Sequence, residues 1–272
     1  MSKSKIIKFD NEKYKNNTKK EISLDDKIKS DDYLEMAYDA TSKSVAIKYA
    51  KQALEVNPAN IDAQCVIADF EENEIKRLKK YETILKDATR ILEEDDMFTE
   101  DNIGMFWGIM ETRPYMRIRH RKILSLMTLG RYTEAIVECE EMLRLCENDN
   151  MGVRYLLIGL YCVLEKFEEC EKLFYKYEDY SLHMVFPMAI MYFKKGNYKK
   201  AKEFLSLSEQ ANEHILDFIL EIAETVPEDL EIQTPYYSQG GEEEAFLVIH
   251  DLMYLLGSLP GFIGFVINEY RK

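Results

Sequence analysis

Proline and glycine are scarce in this chain, with 6 and 11 among 272 residues. Together with 46% hydrophobic residues and many Leu, Ile, Glu and Lys, that scarcity excludes wholesale disorder and favours a mostly helical protein with a sizeable core. Cysteine is also sparse. The five cysteines, at 65, 139, 146, 162 and 170, are odd in number and include no C-x-x-C pair, which argues against a disulfide framework and a zinc ribbon. Cys139 and Cys170 fall at packed helix positions, so reduced, buried thiols in a cytoplasmic protein are expected. The four histidines form no H-E-x-x-H and no close ligand pair. His214-x-x-Asp217 is the closest approach to a ligand spacing, and no metal site is expected. A G-x-S-x-G elbow and a phosphate-binding glycine loop are both missing, so neither a catalytic residue nor a cofactor is expected.

Positive charge is in deficit overall. The net charge is −14, yet residues 1–30 hold nine lysines against five acidic residues, so the rest of the chain carries −18. So acidic a body repels a phosphate backbone, and nucleic acid is not an expected partner. The basic segment 1–30 reads as a solvated, disordered leader, with order starting at Asp31-Asp32 as a helix cap. No apolar run near the N-terminus is long enough for a secretory signal. Ala245 to Ile267 is long enough to cross a bilayer, but the His250-Asp251 pair and the Ser258-Leu259-Pro260-Gly261 break favour a closing helical hairpin over a membrane span.

What the sequence does contain is a recurring turn. Gly130-Arg131-Tyr132-Thr133-Glu134-Ala135 and Gly196-Asn197-Tyr198-Lys199-Lys200-Ala201 share a Gly-x-aromatic-x-x-small pattern, and Glu165-Lys166-Phe167-Glu168-Glu169-Cys170 repeats it without the glycine. The aromatics are 35 and 31 positions apart, bracketing the roughly 34-residue period of a tetratricopeptide helix pair. The glycine permits the tight turn, and the small residue lets the second helix approach closely. A bulky side chain at Gly130 is expected to overpack that junction. The expected fold is therefore all-α: a tetratricopeptide-like right-handed superhelix of antiparallel helix pairs over residues 31–225, closed by a loop and capping helices at 226–272. Within it, helices are expected over 44–56, 61–72, 75–92, 153–164, 168–178, 182–195, 198–210 and 215–223, with Glu242–Leu256 and Pro260–Tyr270 as the cap.

A second signature is not periodic. Trp107-Gly108…Glu111-Thr112-Arg113-Pro114-Tyr115-Met116-Arg117 is followed by Asp149-Asn150-Met151-Gly152-Val153-Arg154-Tyr155, by Ala211-Asn212-Glu213-His214, and by Tyr236-Tyr237-x-x-Gly240 with Glu244-Ala245. This set resembles a family of bacterial tetratricopeptide-repeat proteins similar in layout to the eukaryotic suppressor of tumorigenicity seven proteins. The resemblance covers about residues 105–270. It implies an all-helical repeat fold and brings no catalytic activity with it.

Trp107, Arg113, Tyr115, Arg117 and Arg154 are the candidate peptide-binding residues. Arg113 and Arg117, four apart, share a helix face, and Arg154 opens the first helix of the next pair. Guanidinium groups there can grip a carboxylate or a phosphorylated peptide by two-point hydrogen bonds, or they can lock repeats together through Glu111, Glu134 or Asp149. Arg117-Ile118-Arg119-His120-Arg121-Lys122 reads as a solvated basic face. Protein–protein interaction, with a peptide or helix of a partner held in the concave groove, is the expected function. The alternative is a ligand-binding or hydrolase-like helical enzyme with its site near Arg113, Tyr115 and Arg117.

Overall fold

The computed structural model describes residues 22–224 and 238–270, and among them every regular element is a helix. They form two compact units, Met1–Leu129 and Gly130–Lys272.

In the first unit, α1 (Leu24–Tyr38) packs on α2 (Lys43–Val56), α2 on α3 (Ile61–Asp69), α3 on α4 (Glu74–Glu94), and α4 on α5 (Arg113–Thr128). Small side chains make the close approach possible. Ala37, Ala46 and Ala50 are buried together with Val66, and Ala53 is buried with Ala63 and Leu54. Asn60 and Asn73 cap α3 and α4 by accepting from the backbone N–H groups of Ala63 (3.0 Å) and Lys76 (3.0 Å). Helix α1 corrects the expected boundary. It begins at Leu24, not Asp31, because Ser23 Oγ accepts from the N–H of Asp26 (3.1 Å) and Asp25 and Asp26 fill the first turn. Part of the expected leader is thus helical, and its first 21 residues lie outside the described ones.

The second unit comprises α6 (Tyr132–Leu145), α7 (Val153–Val163), α8 (Phe167–Tyr177), α9 (Leu182–Lys194), α10 (Tyr198–Ala211), α11 (Ile215–Glu224), α12 (Glu242–Asp251), α13 (Met253–Leu256) and α14 (Pro260–Tyr270). The α6/α7, α7/α8 and α9/α10 neighbours pack closely, and the first helices α7 and α9 also pack on each other. The expected helix over Glu242–Leu256 is two helices, broken at Leu252. The Tyr236-Tyr237 part of the non-periodic signature lies outside the described residues.

The repeated turns share one backbone shape. Gly130 (φ 69°) and Gly196 (φ 76°) are left-handed, and so is Glu165 (φ 57°), which stands where the pattern lost its glycine. After α7, the N–H of Lys166 donates to Tyr161 O at 2.9 Å; after α9, the N–H of Asn197 makes the same bond to Tyr192 O at 2.9 Å. Lys194 from α9 completes the α7 terminus, its ammonium donating to the carbonyls of Cys162 (2.8 Å) and Val163 (3.2 Å). The small residues of the pattern, Ala135, Cys170 and Ala201, are all fully buried. The expected overpacking at Gly130 is corrected, because a Cβ there, or at Gly196, meets nothing within 4 Å. Backbone conformation, and not space, is what calls for glycine.

Candidate functional site

In the first unit the Trp107–Arg117 signature forms a pinned turn ahead of α5. Short 3-10 turns at Phe106–Gly108 and Met110–Thr112 lead into the helix, with Pro114 in its first turn. The Thr112 hydroxyl, fully buried, lies against the carbonyls of Phe106 and Ile109. Arg113 Nε donates to Trp107 O (2.9 Å), and its guanidinium sits 5.4 Å over the Trp107 ring. Tyr115, 2% exposed, meets Phe98 and Phe106 edge-on, and its hydroxyl accepts from Arg119 at 2.7 Å. Met105 and Met110, flanking Trp107 in the chain, are 60% and 64% exposed.

Along α5, residues one turn apart face the preceding helix pair. Arg117 grips buried Asp62 of α3 at two points (2.8 and 2.5 Å), and that hydrogen bonding raises the arginine's already high pKa. Arg121 lies 3.1 Å from Asp69, which also accepts from Tyr81 (2.7 Å), and Ser125 donates to Glu74 of α4 (2.5 Å). The Arg117–Lys122 run is therefore not simply a solvated face, since two of its arginines are turned onto α3. Arg117 reaches Asp62 of α3, and Glu134 pairs with Arg131.

Arg154 belongs to the second unit, where it joins the later signature stretches. Its guanidinium bridges Asp149 (3.0 Å) and Asp179 (2.9 Å) and lies 4.2 Å over the Tyr155 ring. Asp149 is one of the expected locks. It also caps α7, accepting from the N–H groups of Val153 (2.7 Å) and Arg154 (3.0 Å). Burial works against the charge of Asp179, but bonds from Ser181, Arg154 and Tyr155 outweigh it and hold its carboxyl below the usual range. The Tyr155 ring is 4.9 Å from the His183 imidazole, and His183 Nδ1 is 4.0 Å from Glu244. Burial, opposed by Glu244, Asp251 and Asp179, pulls the His183 pKa below its ordinary value. Glu244 in turn accepts from Asn212 Nδ2 (3.0 Å) and the N–H of Gly240 (2.8 Å). The Asp149–Tyr155, Ala211–His214 and Gly240–Ala245 stretches thus meet in one buried polar seam.

Asp62, Asp179, His183, Asn212 and Glu244 were not among the candidate residues. One signal for His183 is available in the sequence, as it is the only ionisable side chain of α9 before Tyr192 and Lys194. Among the described residues no three His, Cys, Asp or Glu side chains are grouped to hold a metal, and no helix is long and apolar enough to cross a membrane.

The C-terminal helices cover one face of α7 and α9. Tyr254 and Leu252 abut Gly159 of α7 so closely that a Cβ there would overlap the Tyr254 hydroxyl. Tyr254 also lies against Tyr132 of α6, the rings tilted with centroids 5.5 Å apart. Phe262 contacts Phe186 (6.1 Å) and Phe193 (5.3 Å) of α9, and Phe265 contacts Phe193 (5.2 Å) and Tyr198 (5.7 Å). Ten of the thirteen residues of α9 are buried, so it has no solvated side. The sequence matches no protein-family model and no curated protein.

Proposed function

We propose that this chain is a cytoplasmic protein-interaction module of the tetratricopeptide-like kind, allied to the bacterial repeat proteins its signature resembles. It holds a peptide or helix of a protein partner on a face built from the first helices of the pairs within a unit, without a cofactor. The observation carrying this reading is that in the second unit that face, on α7 and α9, already accommodates a helical segment, α12–α14. Helix-pair arrays use such faces for recognition. Of the candidate residues, Trp107 and Arg113 in the first unit are the ones to test for contact with the partner, because Arg117 and Arg154 already hold carboxylates. A ligand-binding or hydrolase-like site near Arg113, Tyr115 and Arg117 finds less support, since Arg119 occupies the Tyr115 hydroxyl and Asp62 occupies Arg117.

The test is capture from the native cell with wild type, Trp107→Ala and Arg113→Lys, each checked by thermal melt. The ammonium of lysine cannot reproduce the planar guanidinium, so a specific partner should be lost while the variants still fold, with melting lowered only by the loss of the Arg113–Trp107 contact. An identical set of captured proteins from all three would remove these residues from the interface.

A further inference from the structure

Two cysteines and a methionine meet inside the second unit, each from a different helix. Cys162 Sγ on α7 and Cys170 Sγ on α8 are 3.6 Å apart, and Cys170 Sγ is 3.7 Å from the Met188 thioether sulfur on α9. All three residues are fully buried. Packing alone does not call for this grouping. Cys170 holds the small position of the repeated turn, which alanine fills at 135 and 201, and the residues five before each turn's aromatic are Met127, Cys162 and Phe193. Only the middle turn sets two thiols against each other.

The spacing suits a metal ion. With a metal–sulfur bond of about 2.3 Å, three sulfurs around an ion in their plane are about 4.0 Å apart, so the two observed edges need open by only roughly 0.3–0.4 Å. The donor set then selects the ion. Two thiolates and a thioether are soft ligands, and among the described residues no His, Asp or Glu joins the two cysteines as a third ligand. Zinc takes four ligands, whereas a closed set of three soft sulfurs suits copper(I). Copper(I) on two thiolates leaves one negative charge, and the Lys194 ammonium is at hand, donating to the Cys162 carbonyl at 2.8 Å. Without an ion, the facing Cys162 thiol and burial hold Cys170 well above the ordinary thiol range, so it stays protonated.

We propose that Cys162, Cys170 and Met188 form a copper(I) site that ties α7, α8 and α9 together. Both thiols give up their protons to solvent as the ion binds, and the copper does not change oxidation state. Because the three sulfurs are sealed from water, the ion enters while the second unit folds, and its binding free energy becomes folding free energy. The ion serves the fold and takes no part in partner recognition.

The experiment refolds the full chain from urea, fully reduced and without oxygen, with and without one equivalent of copper(I), and then passes it over a copper(I) chelator. Wild type should keep about one copper per chain, release it only in urea, and unfold at higher urea than the copper-free chain. X-ray absorption should show sulfur as the only copper neighbour. Cys170→Ala, which installs the residue of the other two turns, should fold and keep no copper. Met188→Leu should lose copper to the chelator at least tenfold faster than wild type. Cys139→Ala removes a buried thiol outside the trio and should match wild type. Wild type that keeps no copper overturns the proposal, and so does Cys170→Ala or Met188→Leu that keeps it as well as wild type. Loss of copper from Cys139→Ala overturns it too, since the ion would then lie elsewhere. Should Cys170→Ala fail to fold, Met188→Leu decides alone.

Discussion

Replacing Gly196 with alanine should destabilise the second unit by about 1 kcal/mol, and replacing it with leucine should cost no more. An L-residue in the left-handed region is disfavoured by roughly 1–2 kcal/mol. Removing glycine's freedom from the unfolded chain returns about 0.4–1 kcal/mol. No steric penalty adds to this, because a Cβ at Gly196 meets nothing within 4 Å. The reverse change, Glu165→Gly, relieves the same strain at φ 57°. It forfeits only a 3.5 Å ion pair to Lys194 from a glutamate side chain that is 63% exposed, a contact of about 0–1 kcal/mol. Lys194 keeps its two carbonyl partners at the end of α7. Glu165→Gly should therefore be neutral or stabilising by up to about 1 kcal/mol. Urea unfolding of the three variants, followed by circular dichroism at fixed pH, measures each difference. If leucine at 196 costs several kcal/mol more than alanine, the junction is sterically filled and the backbone argument fails. If Glu165→Gly destabilises by more than about 1 kcal/mol, Glu165 makes a contact that outweighs its conformation.

Arg117→Ala strands the buried Asp62 carboxylate and should lower stability by about 3 kcal/mol, near the low end for breaking a buried pair, with Arg117→Lys intermediate; melting curves of both decide it. The depressed pKa of His183 means that, below the ordinary histidine value of about 6.5, the unfolded chain takes up a proton the folded site resists. Stability should thus be full above that pH and fall on acidification from pH 7.5 to 5.5, and His183→Gln should flatten that part of the profile. All five thiols are buried, with burial pushing Cys65 up to about 12, so a thiol reagent at pH 8 should label none of them until denaturant is added. Rapid labelling of the native protein would contradict that burial.

How much was legible follows from how far apart the interacting residues lie. Turns at 130, 165 and 196 are local events, and the Gly-x-aromatic-x-x-small pattern reported them, down to the position where glutamate replaces glycine. Helices α3, α4, α7, α8, α9 and α10 fell close to their expected spans for the same reason. The start of α1 was missed because the lysines of residues 1–30 outweighed, in composition, a short cap made by Ser23 and Asp26. The partners of the arginines were mostly out of reach. Arg117 and Asp62 are 55 residues apart, and Arg154 and Asp179 are 25 apart, so only packing of separate helices chooses them from 50 acidic residues. Asp149 was legible because it is five residues from Arg154, in the loop that leads into the same helix.

The absence of any solvated side on α9 restricts how this sequence can diverge. Phe186 and Phe193 are held between their own helix pair and Phe262 and Phe265, some seventy residues later. A change of volume at either end of that contact is felt at the other, so substitutions on α9 and α14 should be inherited in compensated pairs. Gly159 is the limiting case: a larger residue there presses on both the Tyr254 hydroxyl and the Leu252 side chain, so it should be inherited with changes at those two positions.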